Sequence, residues 1–117
     1  MAIQINGTTG ISGVDGSAAT PALQGTDTNT GIHFPAADTV AIDTGGSERA
    51  RVDSSGRLLV GTSSARSPNA VTAAFQLEST AYEGSSIALT SNSTASPGSS
   101  PWLVFSRTRG KIGRAHV

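Results

Sequence analysis

The side chains that could carry out chemistry in this chain are few. There is no cysteine, which excludes disulfides, thiolate metal sites and thiol nucleophiles. His33 lies between Ile32 and Phe34, so in a strand its side chain would face opposite to theirs. We therefore predict a surface or interface histidine at this position rather than a metal ligand or a catalytic base. The chain contains the residue types of a Ser-His-Asp triad, but serines are so abundant that their presence alone means little, and no nucleophile-elbow motif accompanies them.

The acidic residues offer two weak patterns. Asp27, Asn29 and Gly31 occupy alternate positions, as ligands of a calcium loop do, but glycine replaces the third ligand and no glutamate follows at the required offset. We therefore predict an Asx turn there. Asp38 and Asp43, with Asp53 further along, suggest a glycosidase carboxylate pair, which needs an enclosed cleft that such a short, polar stretch does not promise.

The remaining candidates favour structural roles. Arg49 and Arg51 share a strand face; they could pair with Asp43 or Asp53 across the hairpins, but a solvated charged face is the stronger expectation. Trp102 begins an apolar run and is expected to pack rather than to stack on a sugar or a base. Two segments, 6–8 and 92–94, match glycosylation acceptors, but no secretion signal precedes them. The sequence therefore assigns no catalytic, cofactor-binding or metal-binding residue.

The composition of the chain limits how much core it can build. Of 117 residues, 17 Ser, 14 Thr, 14 Gly and 16 Ala make up just over half, whereas Leu, Ile, Val and Phe number 23. That apolar content lies near the border below which chains cannot offset the entropy of ordering. Because charge is low and balanced, with 8 basic against 8 acidic residues, self-repulsion is not the obstacle. This composition favours an extended β structure that completes its core with further copies of itself.

The same counts exclude several classes of protein. No run of 18 apolar residues exists, so we predict no transmembrane helix and no membrane insertion. The first residues lack the basic and apolar regions of a secretory signal. A pI near 6.7 without a basic cluster argues against nucleic-acid binding.

Patterning divides the chain into five segments. Residues 1–31 form a polar, turn-rich leader that is predicted to be flexible. Over 32–66, apolar residues recur at every second position between turn-forming clusters, which predicts a four-strand β-meander with a positive φ at Gly56. Residues 67–73 read as a linker. A second β-rich block is predicted over 74–110, with strands around Phe75 and Leu77, Ile87 and Leu89, and 102–105; we expect the last, apolar on both faces, to be buried or to meet another chain.

The final residues, 111–117, continue none of these patterns. The codons ATC GGA AGA GCA CAC GTC would encode residues 112–117, and this string is similar to a common short-read sequencing adapter, in which a stop codon follows. We therefore expect residues 111–117 to be the translation of an adapter, and the natural protein to continue beyond residue 110.

Three segments of the chain resemble tail-fibre proteins of tailed bacteriophages. They are the opening MAIQINGTTGISG, the stretch GTDTNTGIHFPAADTVAIDTGGSERARVDSSGRLLVGT at 25–62, and PWLVFSRTRG at 101–110. The resemblance covers most of residues 1–110. It implies an all-β fold of extended hairpin and meander repeats in a fibrous, trimeric shaft. Nothing in the chain is similar to the autocleaving chaperone domain that ends many such fibres.

The resemblance also implies a function. We expect a non-enzymatic virion protein without cofactors: the proximal shaft of a tail fibre involved in host attachment, made in the bacterial cytoplasm. The expected partners are two further copies in a homotrimer, a tail or baseplate protein at the N-terminal region, and a host surface glycan or protein at distal parts. Two alternatives stay open. One is the stalk of a bacterial or prophage surface adhesin, and the other is the stalk of a glycan-degrading tailspike whose catalytic domain is missing.

Overall fold

A computed structural model describes residues 3–81, 84–90 and 103–105. The chain forms two compact units, 1–86 and 87–117. Within the described residues there are eight strands, and the only helix is a single 3-10 turn at Pro68–Ala70. The all-β fold class is therefore confirmed.

The first two strands form a separate hairpin. β1 (Gln4–Asn6) pairs with β2 (Gly10–Ser12) in antiparallel register, with Ile5 opposite Ile11. The turn between them is closed by the side chain of Asn6, whose Oδ1 accepts the backbone N–H groups of Thr8 and Thr9. Asparagine suits this position because its short amide can replace a backbone partner in a turn.

The other six strands form one sheet in chain order. The strands are β3 (Leu23–Gln24), β4 (Gly31–His33), β5 (Val40–Thr44), β6 (Ser47–Val52), β7 (Leu58–Val60) and β8 (Phe75–Leu77). Neighbouring strands are antiparallel except for β7 and β8, which are parallel. The register shifts between Ile42 and Asp43, so β5 carries an irregularity opposite β6.

Turn chemistry connects the strands as the sequence predicts. Gly56 has φ of +75°, and its N–H donates to the carbonyl oxygen of Asp53, while the Asp53 N–H donates to the Arg57 carbonyl oxygen. Gly45 and Gly46, between β5 and β6, also have positive φ. These conformations suit glycine because it lacks a Cβ. The four strands predicted over 32–66 therefore exist, and Gly56 has the predicted positive φ.

The sheet begins earlier than the sequence pattern indicates. β3 lies inside the stretch assigned to the leader, and Leu23 pairs with Ile32 of β4. Pro21 is fully buried, and it lies close to Gly31, where an added Cβ would be 3.0 Å from the proline Cβ. The Phe34 N–H donates to the carbonyl oxygen of Asp15. Backbone hydrogen bonds thus join the second half of the predicted leader to the sheet. The spacing of apolar residues in the sequence does not indicate such bonds.

The second β-rich block is only partly a β structure. Phe75 and Leu77 lie in β8, as predicted, but β8 joins the first sheet through its parallel pairing with β7. In the unit 87–117, the described residues 87–90 and 103–105 are exposed and belong to no strand. The strands predicted around Ile87 and Leu89 and over 103–105 are therefore not found in the described residues. Trp102 and residues 106–117 lie outside the described residues.

Candidate interaction surface

The register of the sheet collects the large apolar side chains on one face. Paired residues share a face, and two rows of them run across the strands. Every member of both rows is apolar: Leu23, Ile32, Ile42, Ala50, Val60 and Leu77 in one row, and Val40, Val52, Leu58 and Phe75 in the other. We call these ten residues the apolar face.

The apolar face is open. Ile42, at its centre, is 50% exposed, and Phe75, on the outermost strand, is also 50% exposed. Val40, Val52 and Leu58 lie between 41% and 45% exposed. A contiguous group of half-exposed branched and aromatic side chains is the kind of surface that another molecule covers.

The β1–β2 hairpin contributes to the margin of this face. A small cavity of about 80 Å³ separates hairpin and sheet. Its lining is almost wholly apolar and consists of Ile3, Ile11, Ser12, Val14, Ala22, Leu23 and Phe34. The hairpin therefore extends the apolar surface beyond β3 instead of covering the centre of the sheet.

The opposite face of the sheet carries the buried side chains. Ala41 and Leu59 are fully buried there, and both stand in the row that His33 and Arg51 share. Asp43 also lies on this face and is fully buried. The core of the described chain thus lies under the more polar face of the sheet.

His33 and Asp43 form the central polar contact of this buried face. His33 Nδ1 lies 2.5 Å from Asp43 Oδ2, joining β4 to β5 diagonally. The His33 side chain is 8% exposed and that of Asp43 is fully buried. The second carboxylate oxygen of Asp43, Oδ1, is buried and has no hydrogen-bond partner among the described residues. The pair therefore satisfies His33 Nδ1 but leaves one strong acceptor unpaired, which makes this site sensitive to substitution.

The predicted surface position of His33 is wrong. The alternation itself holds, because His33 faces away from Ile32 and Phe34, and Phe34 is exposed. What differs is which face is covered: the structure buries the histidine face and exposes the apolar one. Alternation along a strand separates two faces, but packing of other segments decides which of them meets solvent.

The arginines do not make the cross-hairpin pairs that the sequence left as the weaker alternative. Arg51 forms a bidentate contact with Glu48 on its own strand, with N···O distances of 2.9 and 2.6 Å, and both side chains are largely buried. Arg49 is exposed, and its Nε donates to the hydroxyl of Thr44. The register shift between Ile42 and Asp43 places Glu48, not an arginine, opposite Asp43. The solvated charged face is thus correct for Arg49 and wrong for Arg51.

The acidic residues are used in separate local structures. Asp53 accepts the backbone N–H groups of Ser55 and Arg57, and its other oxygen lies 2.8 Å from Arg57 Nε. These contacts hold the pKa of Asp53 below its usual value, the Arg57 backbone N–H being the largest cause. Asp38, with φ of +56°, is exposed in the turn before β5.

The predicted Asx turn is present at Asp27. Its Oδ1 accepts the Asn29 N–H at 3.5 Å and its Oδ2 accepts the Thr30 hydroxyl at 2.7 Å. In the part of the chain that the structure describes, no three His, Asp or Glu side chains are grouped to hold a metal ion. The same described residues include no helix that is long and apolar enough to cross a membrane.

A charged pair stands at the end of the outermost strand. Arg66 and Glu78 are 2.6 Å apart beside β8, and the arginine side chain is 71% exposed. The guanidinium lowers the pKa of Glu78, and the carboxylate raises that of Arg66.

Comparison with known proteins found no matching family model, no matching curated protein and no matching solved structure.

Proposed function

We propose that this chain is a structural virion protein, the N-terminal and proximal shaft part of a phage tail fibre, which assembles as a homotrimer. The observation that carries the proposal is the open apolar face, on which ten apolar residues share one side of a sheet and no charged residue interrupts the two rows. The composition agrees, because 23 large aliphatic and Phe residues in 117 are few for a core completed by one chain.

A threefold arrangement suits these features. A single sheet with one open apolar face removes that face from water only by packing it against another surface. Three copies arranged around an axis would bring three such faces together and build one shared core, with the already covered face of each sheet on the side away from the axis. The resemblance of residues 1–13 and 25–62 to tail fibres supports the same assembly.

Partners at the two ends follow from the proposed role. The N-terminal region, including the β1–β2 hairpin, would attach to a tail or baseplate protein, and distal parts of the fibre would contact a host surface glycan or protein. The chain itself would act as a spacer and an assembly element, without catalysis. Tail and baseplate genes beside the gene would support this placement, and a cell-wall sorting signal downstream would favour the adhesin stalk instead.

The assembly is tested by placing a charge on the apolar face. In sedimentation velocity, we expect the unmodified chain to associate with increasing concentration, and Ile42→Asp and Val52→Asp each to shift the equilibrium toward the monomer by tenfold or more, about 1.4 kcal/mol. Ser54→Asp, which adds the same charge in an exposed turn, is the matched control and should associate as the unmodified chain does.

Two results would contradict the proposal. One is a chain that stays monomeric and melts in a sharp two-state transition, and the other is an association that Ile42→Asp and Ser54→Asp reduce equally. Circular dichroism of each variant at the same concentration separates lost association from lost folding.

A further inference from the structure

The turn of the β1–β2 hairpin contains an asparagine followed by glycine. Asn6 ends β1 and Gly7 begins the turn. The side-chain carbonyl carbon of an asparagine can be attacked by the backbone nitrogen of the next residue, because the ring that forms has five members. Gly7 offers no side chain to hinder that approach, and even an added Cβ would meet no described atom within 4 Å. No side chain at position 7 therefore shields the attacking nitrogen.

Both ends of the Asn6 amide are held by groups that would assist such an attack. Oδ1 accepts two backbone N–H groups, from Thr8 at 2.9 Å and from Thr9 at 2.8 Å. These are the distances at which paired N–H groups stabilise an oxyanion in acyl transfer. Nδ2 donates a hydrogen bond to the hydroxyl oxygen of Thr9, 2.7 Å away. Once the attack makes Cγ tetrahedral, Nδ2 has a free lone pair, and a hydroxyl at this distance can rotate and pass it a proton as the amine departs.

We propose that this turn is a self-modification site, at which Asn6 converts to aspartate and isoaspartate. The Gly7 nitrogen gives its proton to a hydroxide ion of the solvent and forms a bond to Cγ of Asn6, and the charge on Oδ1 is stabilised by the Thr8 and Thr9 N–H groups. Nδ2 gains a proton that the Thr9 hydroxyl relays from water, which regenerates the hydroxide; the Cγ–Nδ2 bond breaks, and ammonia leaves. Water then opens the cyclic imide at either carbonyl. The net reaction consumes one water and releases one ammonia.

The product would alter the hairpin. Either product places a carboxylate in the turn, and isoaspartate also adds a methylene to the main chain beside the Asn6–Gly10 pair. The added atom changes the register that sets Ile5 opposite Ile11. Because Ile3 and Ile11 line the cavity against Leu23, the modification would loosen the hairpin from the margin of the apolar face. The inference stands on the turn alone and does not depend on the proposed function.

Two other asparagines serve as internal controls. Asn29 and Asn69 are followed by Thr30 and Ala70, whose side chains hinder the attacking nitrogen. In the described part of the chain, neither side-chain oxygen accepts a backbone N–H. The full chain is incubated at neutral pH, and each site is followed by peptide mapping with fragment-ion assignment. We expect Asn6 to convert at least about tenfold faster than Asn29 and Asn69.

Unfolding and substitution separate the turn from the dipeptide. In concentrated urea the Asn6–Gly7 dipeptide remains but the turn does not, so we expect conversion to slow by about tenfold. Thr9→Val removes the hydroxyl and keeps the N–H, and we expect a similar slowing; Thr9→Ser, which keeps the hydroxyl, should restore the rate. Equal or faster conversion in urea, or in Thr9→Val, would overturn the proposal, because the hydrogen bonds would then be neutral or protective. So would a Thr9→Ser variant as slow as Thr9→Val.

Discussion

His33 Nδ1 lies 2.5 Å from Asp43 Oδ2 inside the sheet, and this contact joins β4 to β5 on the covered face. In a buried ionisable pair, each side chain is stabilised by its contact with the other. Removing one partner leaves the other without compensation in a site from which water is excluded. Substituting either residue alone is therefore expected to lower the free energy of unfolding strongly.

We predict that His33→Ala and Asp43→Ala each lower the free energy of unfolding by about 3–5 kcal/mol. Replacing both residues with leucine should recover much of that loss, because an apolar pair leaves no buried charge unpaired. Urea unfolding followed by circular dichroism measures all three variants. Arg66→Ala breaks an exposed ion pair and is the control, with an expected loss of about 0–1 kcal/mol. Similar losses for Arg66→Ala and His33→Ala would contradict the burial of the pair.

The turn at Asp53 makes stability depend on pH. The pKa of Asp53 is lowered in the folded chain by the Arg57 and Ser55 N–H groups and by the Arg57 guanidinium. A depressed folded pKa means that the contribution is fully present above the unfolded value, about pH 4, and is lost as pH falls through the folded pKa.

We therefore expect acid to destabilise this hairpin, and Asp53→Asn to reduce that acid dependence. Asparagine keeps an acceptor for the turn N–H groups but cannot be protonated in this range. NMR titration of the Asp53 carboxyl carbon and urea unfolding at several acidic pH values are the measurements. A folded pKa at or above the unfolded value would show that the turn does not bind the carboxylate.

Much of the meander can be predicted from local chemistry. Gly56 and the pair Gly45–Gly46 mark turns because few other residues adopt positive φ, and the alternation around Ile42 separates two faces. The covered face could not be predicted, since the burial of His33 depends on tertiary packing that strand alternation does not encode. The parallel pairing of Phe75 with Leu58 could not be predicted either, because the sequence of a strand does not indicate which distant strand it pairs with.

Gly31 tests the attachment of β3 to the sheet. An added Cβ there would overlap the carbonyl oxygen of Leu23 and approach Pro21, so backbone must move to admit it. We expect Gly31→Ala to cost about 1–3 kcal/mol, the usual range for overpacking, and to increase amide exchange at Ile32. Gly25→Ala is the matched control because its added Cβ meets nothing within 4 Å. If both variants exchange at Ile32 as the unmodified chain does, β3 is not paired as described.

Leu58 and Leu59 are neighbours in β7 that face opposite sides of the sheet, and they separate folding from association. Leu59 is fully buried, so Leu59→Ala should cost about 2–5 kcal/mol in urea unfolding through the lost contacts and the cavity left behind. Leu58 is 41% exposed on the apolar face, and Leu58→Ala should cost less than about 1 kcal/mol in the monomer.

Leu59→Ala should have the larger effect on stability, whereas in sedimentation velocity Leu58→Ala should have the larger effect on association. Leu58→Ala removes a side chain that copies would share, so its association weakens while its monomer stays folded. Leu59→Ala, measured below its unfolding transition, should associate as the unmodified chain does. A large stability loss for Leu58→Ala with little effect of Leu59→Ala would mean that β7 is shifted by one residue, since such a slip exchanges the two faces of a strand.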